Sequence, residues 1–344
     1  MKILVTGAAG FIGSKLSQML AHRGDDVVGV DNINDYYDVS LKYARIRDLL
    51  GVDVVGEEIT FGEKKVSSIY PNLSFIRLSI DDKQALDSLF ECDNFDVVVN
   101  LAAQAGVRYS ITHPYVYMQS NLIGFLNILE ACRNYNVPRL VFASSSSVYG
   151  MNDKVPYSEE DKVDTPVSLY AASKKSNELM AHCYSKLYDF QTIGLRFFTV
   201  YGPWGRPDMS PMLFADALKE GKPIKVFNNG DMIRDFTYID DIVEGTIRAI
   251  DHTLDKNQCL HNVPHKIYNI GCSNPVKLMD FISELEFAYG KEAIKEFLPM
   301  QPGDVYQTNA DTSRLEEDMG YKPHWTLHNG IASFMKWYKF YYLK

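Results

Sequence analysis

The stretch "KILVTGAAGFIG", residues 2 to 13, carries the decision about the fold. An apolar run of strand length gives way to three glycines, Gly7, Gly10 and Gly13, while an apolar helical pattern opens at Phe11 and Ile12. Glycine lets the backbone turn tightly and approach a pyrophosphate, whose charge then meets the free N–H groups at a helix start. The spacing is GxxGxxG, one residue wider in its first half than the dinucleotide fingerprint GxGxxG. The segment therefore predicts a cofactor turn lined by Gly7, Gly10, Phe11, Ile12 and Gly13. The next apolar run ends in "VGVDN", which puts Asp31, followed by Asn32, 18 residues beyond Gly13. A carboxylate there accepts hydrogen bonds from the adenosine ribose and repels a 2′-phosphate, so the expected cofactor is NAD rather than NADP.

Outward from this turn, short β-branched runs alternate with helical patterns, the signal of βαβ units and a parallel sheet. "KILVTG", "DDVVGVD", "LSFIRL", "FDVVVNLA", "RLVFASSS" and "QTIGLRFF" read as buried strands. "SKLSQMLAHRG" and "NLIGFLNILEACRNYNV" read as helices, the second ended by Pro138. Residues 51 to 74 fit neither template and read as a surface excursion, with a short hairpin as its expected form. Past Trp204 "SPMLFADALKEG", "IDDIVEGTIRAIDHTL" and "KLMDFISELEFAYG" look helical, with "IKVFNNG" and "KIYNIG" as short strands. The expected class is α/β: a Rossmann-type doubly wound parallel sheet with a smaller mixed α/β substrate domain. The first domain is expected over 1–195, with a returning segment at about 235–270, and the second over 196–234 and 271–344.

Composition narrows the partners. The chain has 344 residues, 46% hydrophobic, enough for a sizeable core, and a net charge of −9. That charge argues against nucleic acid and anionic membranes as main partners, without excluding a small anionic ligand at a basic cluster. The five cysteines, Cys92, Cys132, Cys183, Cys259 and Cys272, show no CxxC spacing, so reduced thiols are expected and structural zinc is not. Met1 leads within two residues into "ILVTG", so no signal peptide is expected, and no apolar run approaches the ~20 residues of a membrane span. A cytoplasmic location is expected.

"SLYAASKKSNEL", residues 168 to 179, holds Tyr170 and Lys174 four positions apart. With 22 tyrosines roughly one YxxxK is expected by chance, and this chain has that one match. On a helix the two share a face. A free phenol, with a pKa near ~10, is a poor base at neutral pH. A nearby ammonium and a bound nicotinamide cation favour the phenolate, producing a base suited to a sugar hydroxyl while hydride leaves the same carbon. The alternative is a solvated surface pair.

The glycine turn, "SSSSVYG" and "YAASK" together resemble the extended short-chain dehydrogenase/reductase family of nucleotide-sugar enzymes, from Lys2 to about Tyr338. The resemblance implies that Ser145, 25 residues before Tyr170, hydrogen-bonds the reacting hydroxyl, with a capping or turn role as the alternative for one serine of this four-serine run, and that Lys174 also binds the nicotinamide ribose. It places Leu101, Ala102 and Ala103 of "LAAQAGVR" beneath the cofactor and Asn121 near the nucleotides, with helix capping as the alternative for Asn121. Ser79 and Ile80 stand where the family has an Asp-hydrophobic pair near the adenine. Arg234 resembles the arginine holding the nucleotide diphosphate, against a surface pairing with Asp235 or Asp240; Asp304 resembles the carboxylate on the uridine ribose. Arg206 either faces the diphosphate or sugar, or forms a loop salt bridge. Tyr149 is a core aromatic or a substrate wall.

Within the family, 4,6-dehydratases carry Asp-Glu directly after the catalytic hydroxyl residue, and decarboxylases a glutamate in that segment. Here Ser146 and Ser147 stand there, with no acid or base for a second step, which implies a 4-epimerase acting through a transient 4-keto sugar. "RFFTVYGPWGRPDM" and "DNINDYYD" look most like UDP-glucuronate 4-epimerases; Gln301 stands where galactose epimerases often have arginine. Hydroxyls of Ser145, Ser146, Ser147 and Thr199 are expected around the sugar carboxylate, restraining a β-keto acid from losing CO₂. A neutral UDP-hexose or N-acetylhexosamine is the alternative substrate. Relatives form two-fold dimers through the helix after Asn121 and the helix bearing Tyr170, which implies a homodimer, with "GFLNILEAC" offering either that face or core.

Overall fold

Ile3, Leu4 and Val5 have no exposed surface, so the first strand is covered on both faces, the condition of a parallel sheet flanked by helices. The computed structural model describes residues 1–54, 58–301 and 304–343 and contains that sheet. Its eight strands are β1 Lys2–Thr6, β2 Asp26–Asp31, β3 Lys64–Val66, β4 Leu73–Arg77, β5 Val97–Asn100, β6 Arg139–Ser145, β7 Gln191–Phe197 and β8 His265–Ile270, in the order β8-β7-β6-β5-β1-β2-β4-β3. β1 pairs parallel with β2 and β5, β2 with β4, and β5 with β6. The chain winds outward from β1 through β2 to β4, then crosses back to β5. Strand order therefore reverses between β1 and β5, and the crevice beyond their carboxyl ends is where open α/β sheets bind ligands. Gly7 and Leu101 follow those two ends.

The hairpin expected after residue 51 is β3 paired antiparallel with β4 at the sheet edge; Val55 to Glu57 lie outside the described residues. Helix α1, Phe11–Arg23, ends at Gly24, whose φ of +98° only glycine adopts freely. α2, Val39–Asp48, and α3, Lys83–Cys92, come in addition to the helices read from sequence. Asp38 and Asp82 cap them through Ser40 N and Ala85 N. The helix expected over 121–137 is shorter. Met118–Ile123 is a π-helical turn, α4 spans Gly124–Asn134, and left-handed Asn136 (φ +55°) stops it ahead of Pro138. Gly124, Phe125, Ile128, Leu129 and Cys132 are buried, so "GFLNILEAC" belongs to the core of this layer. α5, Leu169–Tyr188, starts at Ser168, whose hydroxyl accepts from Ala171 N.

By contacts the chain divides into two units, Met1–Gly150 with Val163–Arg196 and Thr246–Tyr268, and Met151–Lys162 with Phe197–Gly245 and Asn269–Lys344. The returning segment is thus Thr246–Tyr268, where the sequence suggests about 235–270. Met151–Lys162 joins the second unit through backbone pairing: Tyr157 N donates to Asn309 O at 2.8 Å and Asn269 Nδ2 to Tyr157 O at 2.8 Å. That unit carries helices α6 Ser210–Glu220, α7 Leu278–Tyr289 and α8 Leu327–Tyr342. It also carries short strand pairs, among them Thr199–Tyr201 with Phe236–Tyr238 and Ile233–Arg234 with Val276–Lys277. Among the described residues no helix is long and apolar enough to cross a membrane.

Candidate active site

The glycine turn is shaped by contacts that forbid a side chain. A Cβ on Gly13 would lie 2.1 Å from Gly7 O, and one on Gly10 2.9 Å from the same atom. Gly7 sits at φ +73°, and its Cβ would meet Ala102 N at 2.9 Å, so the turn after β1 lies directly against the loop after β5. Gly10 occupies the N-cap of α1 with no side-chain cap, and no acid occupies the first helical turn. Open N–H groups at a helix start beside close-set glycines fit a dinucleotide pyrophosphate.

Asp31, nearly buried at the end of β2, accepts from Ile33 N at 2.8 Å through Oδ1 and from Ala9 N at 3.2 Å through Oδ2. Each carboxylate oxygen has capacity for a further donor, such as a ribose hydroxyl. Two buried cations from α2 stand beside it. Lys42 Nζ lies 3.9 Å from Asp31 Oδ1, and Arg45 donates to Ala9 O at 3.1 Å and to Tyr37 Oη at 2.6 Å. The Ala9 peptide is thus held from both sides. Burial pulls the Lys42 ammonium below the usual lysine range, and Asp31 opposes that fall. Sequence reasoning missed both cations, because buried Lys and Arg break the apolar pattern that would mark α2; the available signal was Asp38 capping "VSLKYARI".

Of the other expected cofactor residues, Leu101 and Ala102 lie against Gly7. Ala102 N donates to Thr6 Oγ1 at 3.1 Å. Leu101, Ala102 and Ala103 are half-buried. Asn32 Nδ2 donates to Ser79 Oγ at 3.3 Å, and Ser79 in turn donates to Asp81. Ile80 is buried against Gly124, where a Cβ would come within 2.7 Å of it. Phe11 is buried and Ile12 half-buried on α1. Asn121 caps no helix. It sits in the π-helical turn and exchanges bonds with the backbone of Gln104 (2.8 and 3.0 Å) and with Ser173 Oγ (2.9 Å), clamping the loop after β5 to α5.

Tyr170 lies in the first turn of α5, half-buried, its ring edge-on to Tyr117 at 6.1 Å. Lys174 is no solvated partner. Only 3% of it is exposed, and its Nζ donates to Ala143 O at 2.9 Å. Burial pushes its pKa down to about 8. Two residues after Ala143, Ser145 accepts from Ser147 N at 3.2 Å and Ser147 Oγ at 3.0 Å, opening the turn Ser146–Tyr149. The face of α5 with Tyr170 and Lys174 is therefore tied to a turn of half-buried hydroxyls with no carboxylate or imidazole in it. Tyr149 is 1% exposed and accepts from Arg196 Nη1 at 2.9 Å, the core position of its two alternatives. Glu178 and Arg196, buried behind the turn with Ser144, escaped the sequence reading, although Glu178 stands four residues past Lys174.

In the second unit Arg234 pairs with neither Asp235 nor Asp240. Its guanidinium donates to the carbonyls of Ile233 (2.9 Å), Tyr306 (2.9 Å) and Val305 (2.7 Å). Burial lowers its pKa, and the nearby Asp304 charge opposes that. Arg234 and Asp304 are thus brought together; Pro302 and Gly303 beside Asp304 lie outside the described residues. Asp235 is wholly buried and accepts from Cys272 N (2.8 Å), Ser273 N (3.0 Å) and Ala310 N (3.1 Å), so its role is to organise the backbone. Arg206 takes the loop salt bridge of its two expectations, with two bonds to Asp208 at 3.0 and 2.5 Å. Thr199 is half-buried and its N–H donates to Asp235 O at 3.2 Å.

Residues 3–271 match the model of the NAD dependent epimerase/dehydratase family. A UDP-glucuronate 4-epimerase of Arabidopsis thaliana is 45% identical over 99% of this chain and 76% of its own. A probable UDP-glucuronate 4-epimerase of Rhizobium meliloti is 42% identical over 98% and 97%. Among solved structures, the UDP-glucuronic acid 4-epimerase of Bacillus cereus, in complex with UDP-glucuronic acid and NAD, superposes with a TM-score of 0.84 at 35% identity, covering 99% of this chain and all of that one.

Proposed function

The chain belongs to the NAD dependent epimerase/dehydratase family, and from that premise we propose that it interconverts UDP-glucuronate and UDP-galacturonate by inverting C4. It is an NAD-dependent UDP-sugar 4-epimerase. Bound NAD, held by the glycine turn, Asp31 and Lys174, would supply the hydride acceptor and donor that inversion at C4 requires. The protein's own part is acid–base and positional. Tyr170 removes the proton from the C4 hydroxyl and gives it back. Lys174 favours the phenolate through its charge, and Ser145 bonds the reacting oxygen. The glycine turn holds the pyrophosphate, and Asp31 and Asn32 the adenosine ribose. Arg234 and Asp304 are our candidates for the diphosphate and ribose of the sugar nucleotide. Ser146 and Ser147 offer hydroxyls to the sugar carboxylate.

One observation carries this reading: Lys174 is buried on the Tyr170 face of α5 and bonded to Ala143, at the foot of a serine turn that holds no acid or imidazole. That supports oxidation at C4 with no second catalyst to divert the product. Incubation with UDP-glucuronate, with UDP-glucose and UDP-N-acetylglucosamine in parallel, followed by NMR, tests it. We expect a mixture of UDP-glucuronate and UDP-galacturonate without release of CO₂. Conversion of the neutral sugars alone would overturn the substrate assignment.

We further propose a homodimer and a cytoplasmic location. Ile111, Tyr115, Met118, Ile123, Leu179 and Leu187 are exposed along the segments before α4 and on α5, an apolar set suited to a second copy. Light scattering should give twice the 39.1 kDa chain mass, and a monomer at working concentration would remove the assignment.

A further inference from the structure

Behind the serine turn lies a buried polar hub that the catalytic assignment leaves unused. Arg196 on β7 forks onto Glu178 of α5, Nε to Oε1 at 2.8 Å and Nη2 to Oε2 at 2.9 Å. Ser144, the last residue before Ser145, donates to Glu178 Oε1 at 2.7 Å. Arg196 also donates to Tyr149 at the far end of the turn, and Lys175 reaches Glu178 Oε2 at 3.2 Å. Ser144, Glu178 and Arg196 are each 2% exposed.

Stability alone does not account for this hub, since a buried ion pair is commonly matched or bettered by apolar residues of the same volume. Its connections point elsewhere. Glu178 is one helical turn beyond Lys174 and two beyond Tyr170, so all three share a face. That face meets β6 through two consecutive residues, Lys174 onto Ala143 O and Glu178 onto the Ser144 hydroxyl. Ser145 is extended (φ −155°, ψ 146°), and in extended backbone neighbouring side chains point to opposite sides. Holding Ser144 on Glu178 therefore decides the side on which Ser145 presents its hydroxyl. A carboxylate suits the hub because it only accepts, and here four N–H or O–H donors converge on it.

We propose that Ser144 and Glu178 are positioning residues of the epimerisation, acting through Ser145 and Lys174 to hold the serine turn in register with Tyr170. The inference rests on the epimerase reading. It is tested by kcat and KM for UDP-glucuronate in the full-length wild type, Ser144→Ala and near-isosteric Ser144→Cys, with a crystal structure of Ser144→Ala. Ser144→Ala should lower kcat roughly tenfold at unchanged KM, in protein still fully folded at the assay temperature, with Ser144→Cys between it and wild type, because small misplacements of reacting groups act on the chemical step. Both variants within about twofold of wild type in kcat, or a loss that appears only in KM, would overturn the proposal. Should the wild type itself leave UDP-glucuronate untouched, the epimerase reading falls. The crystal structure then decides the positional claim, sustained if the Ser145 hydroxyl moves relative to Lys174 Nζ and overturned if it stays.

Discussion

The two ends of one helical face on α5 treat a buried charge in opposite ways. Toward the start of the helix, Lys174 is buried like the core around it, yet its ammonium donates to a backbone carbonyl rather than to a carboxylate, and its pKa is pushed down to about 8. One turn further on, Glu178 and Arg196 are equally buried and fully paired. The bidentate guanidinium holds the Glu178 carboxyl below its ordinary range against the cost of burial, and Arg196 is raised in return. A charge kept short of partners is available to a substrate or cofactor. A charge saturated with partners is not, and serves geometry. Our proposal assigns chemistry to the first and positioning to the second, among residues that burial alone would not distinguish.

The sharpest way to break that distinction is at Tyr170. Tyr170→Phe should cost about 10³-fold in kcat, the scale of general acid–base catalysis, and leave unfolding unchanged. Retention of more than about a tenth of wild-type turnover would remove the tyrosine from the chemistry. At the saturated end the largest effect should fall on stability. Arg196→Met strands a buried carboxylate and should cost about 3–5 kcal/mol in urea unfolding, whereas the double replacement Glu178→Leu with Arg196→Met should recover most of it. Equal losses in the single and double variants would deny that the stranded charge is the cause.

Lys174 should behave in the opposite sense. A lysine lowered from 10.5 to about 8 forgoes about 3 kcal/mol while charged. The folded pKa lies below the unfolded one, so this penalty is complete below pH 8 and lifts as pH rises toward 10.5. Lys174→Met loses the bond to Ala143 but sheds the penalty, so at pH 7 it should unfold no more easily than wild type. Wild type should then gain on the variant as pH rises from 8 to 10; a constant difference would contradict the burial of a charged amine. The smallest effect is kinetic. If the ammonium supports the phenolate, kcat/KM of the wild type should decline as pH rises through about 8, and a flat profile to pH 10 would detach the lysine from the rate.

The cofactor turn was legible because its requirement is local. Gly7, Gly10 and Gly13 answer to backbone conformation and close approach within a few residues, and Asp31 follows one strand later. Tyr170 and Lys174 were legible for the same reason, four residues apart on one helix. Lys42 and Arg45 were not, since a cation among apolar residues reads as surface until Asp31 and Ala9 are seen beside it. Arg234 likewise gave no sign that its partners are carbonyls some 70 residues away in sequence, at Val305 and Tyr306. The apolar pattern of α4 was visible, but pattern alone does not say whether Phe125 and Ile128 face the sheet or a second copy. They face the sheet.

Sequence by itself determined the strand–turn–helix unit that opens the chain and the alternation that builds a parallel sheet, and it named the groups we propose for the chemistry. These are set by propensity, spacing and residue type, all properties of neighbours along the chain. Tertiary structure alone decided which charges are paired and which are left open, because pairing depends on side chains delivered by different elements. Glu178 comes from a helix, Arg196 from one strand and Ser144 from another. Burial then turns their proximity into either a saturated bridge or a lysine whose proton is loosely held.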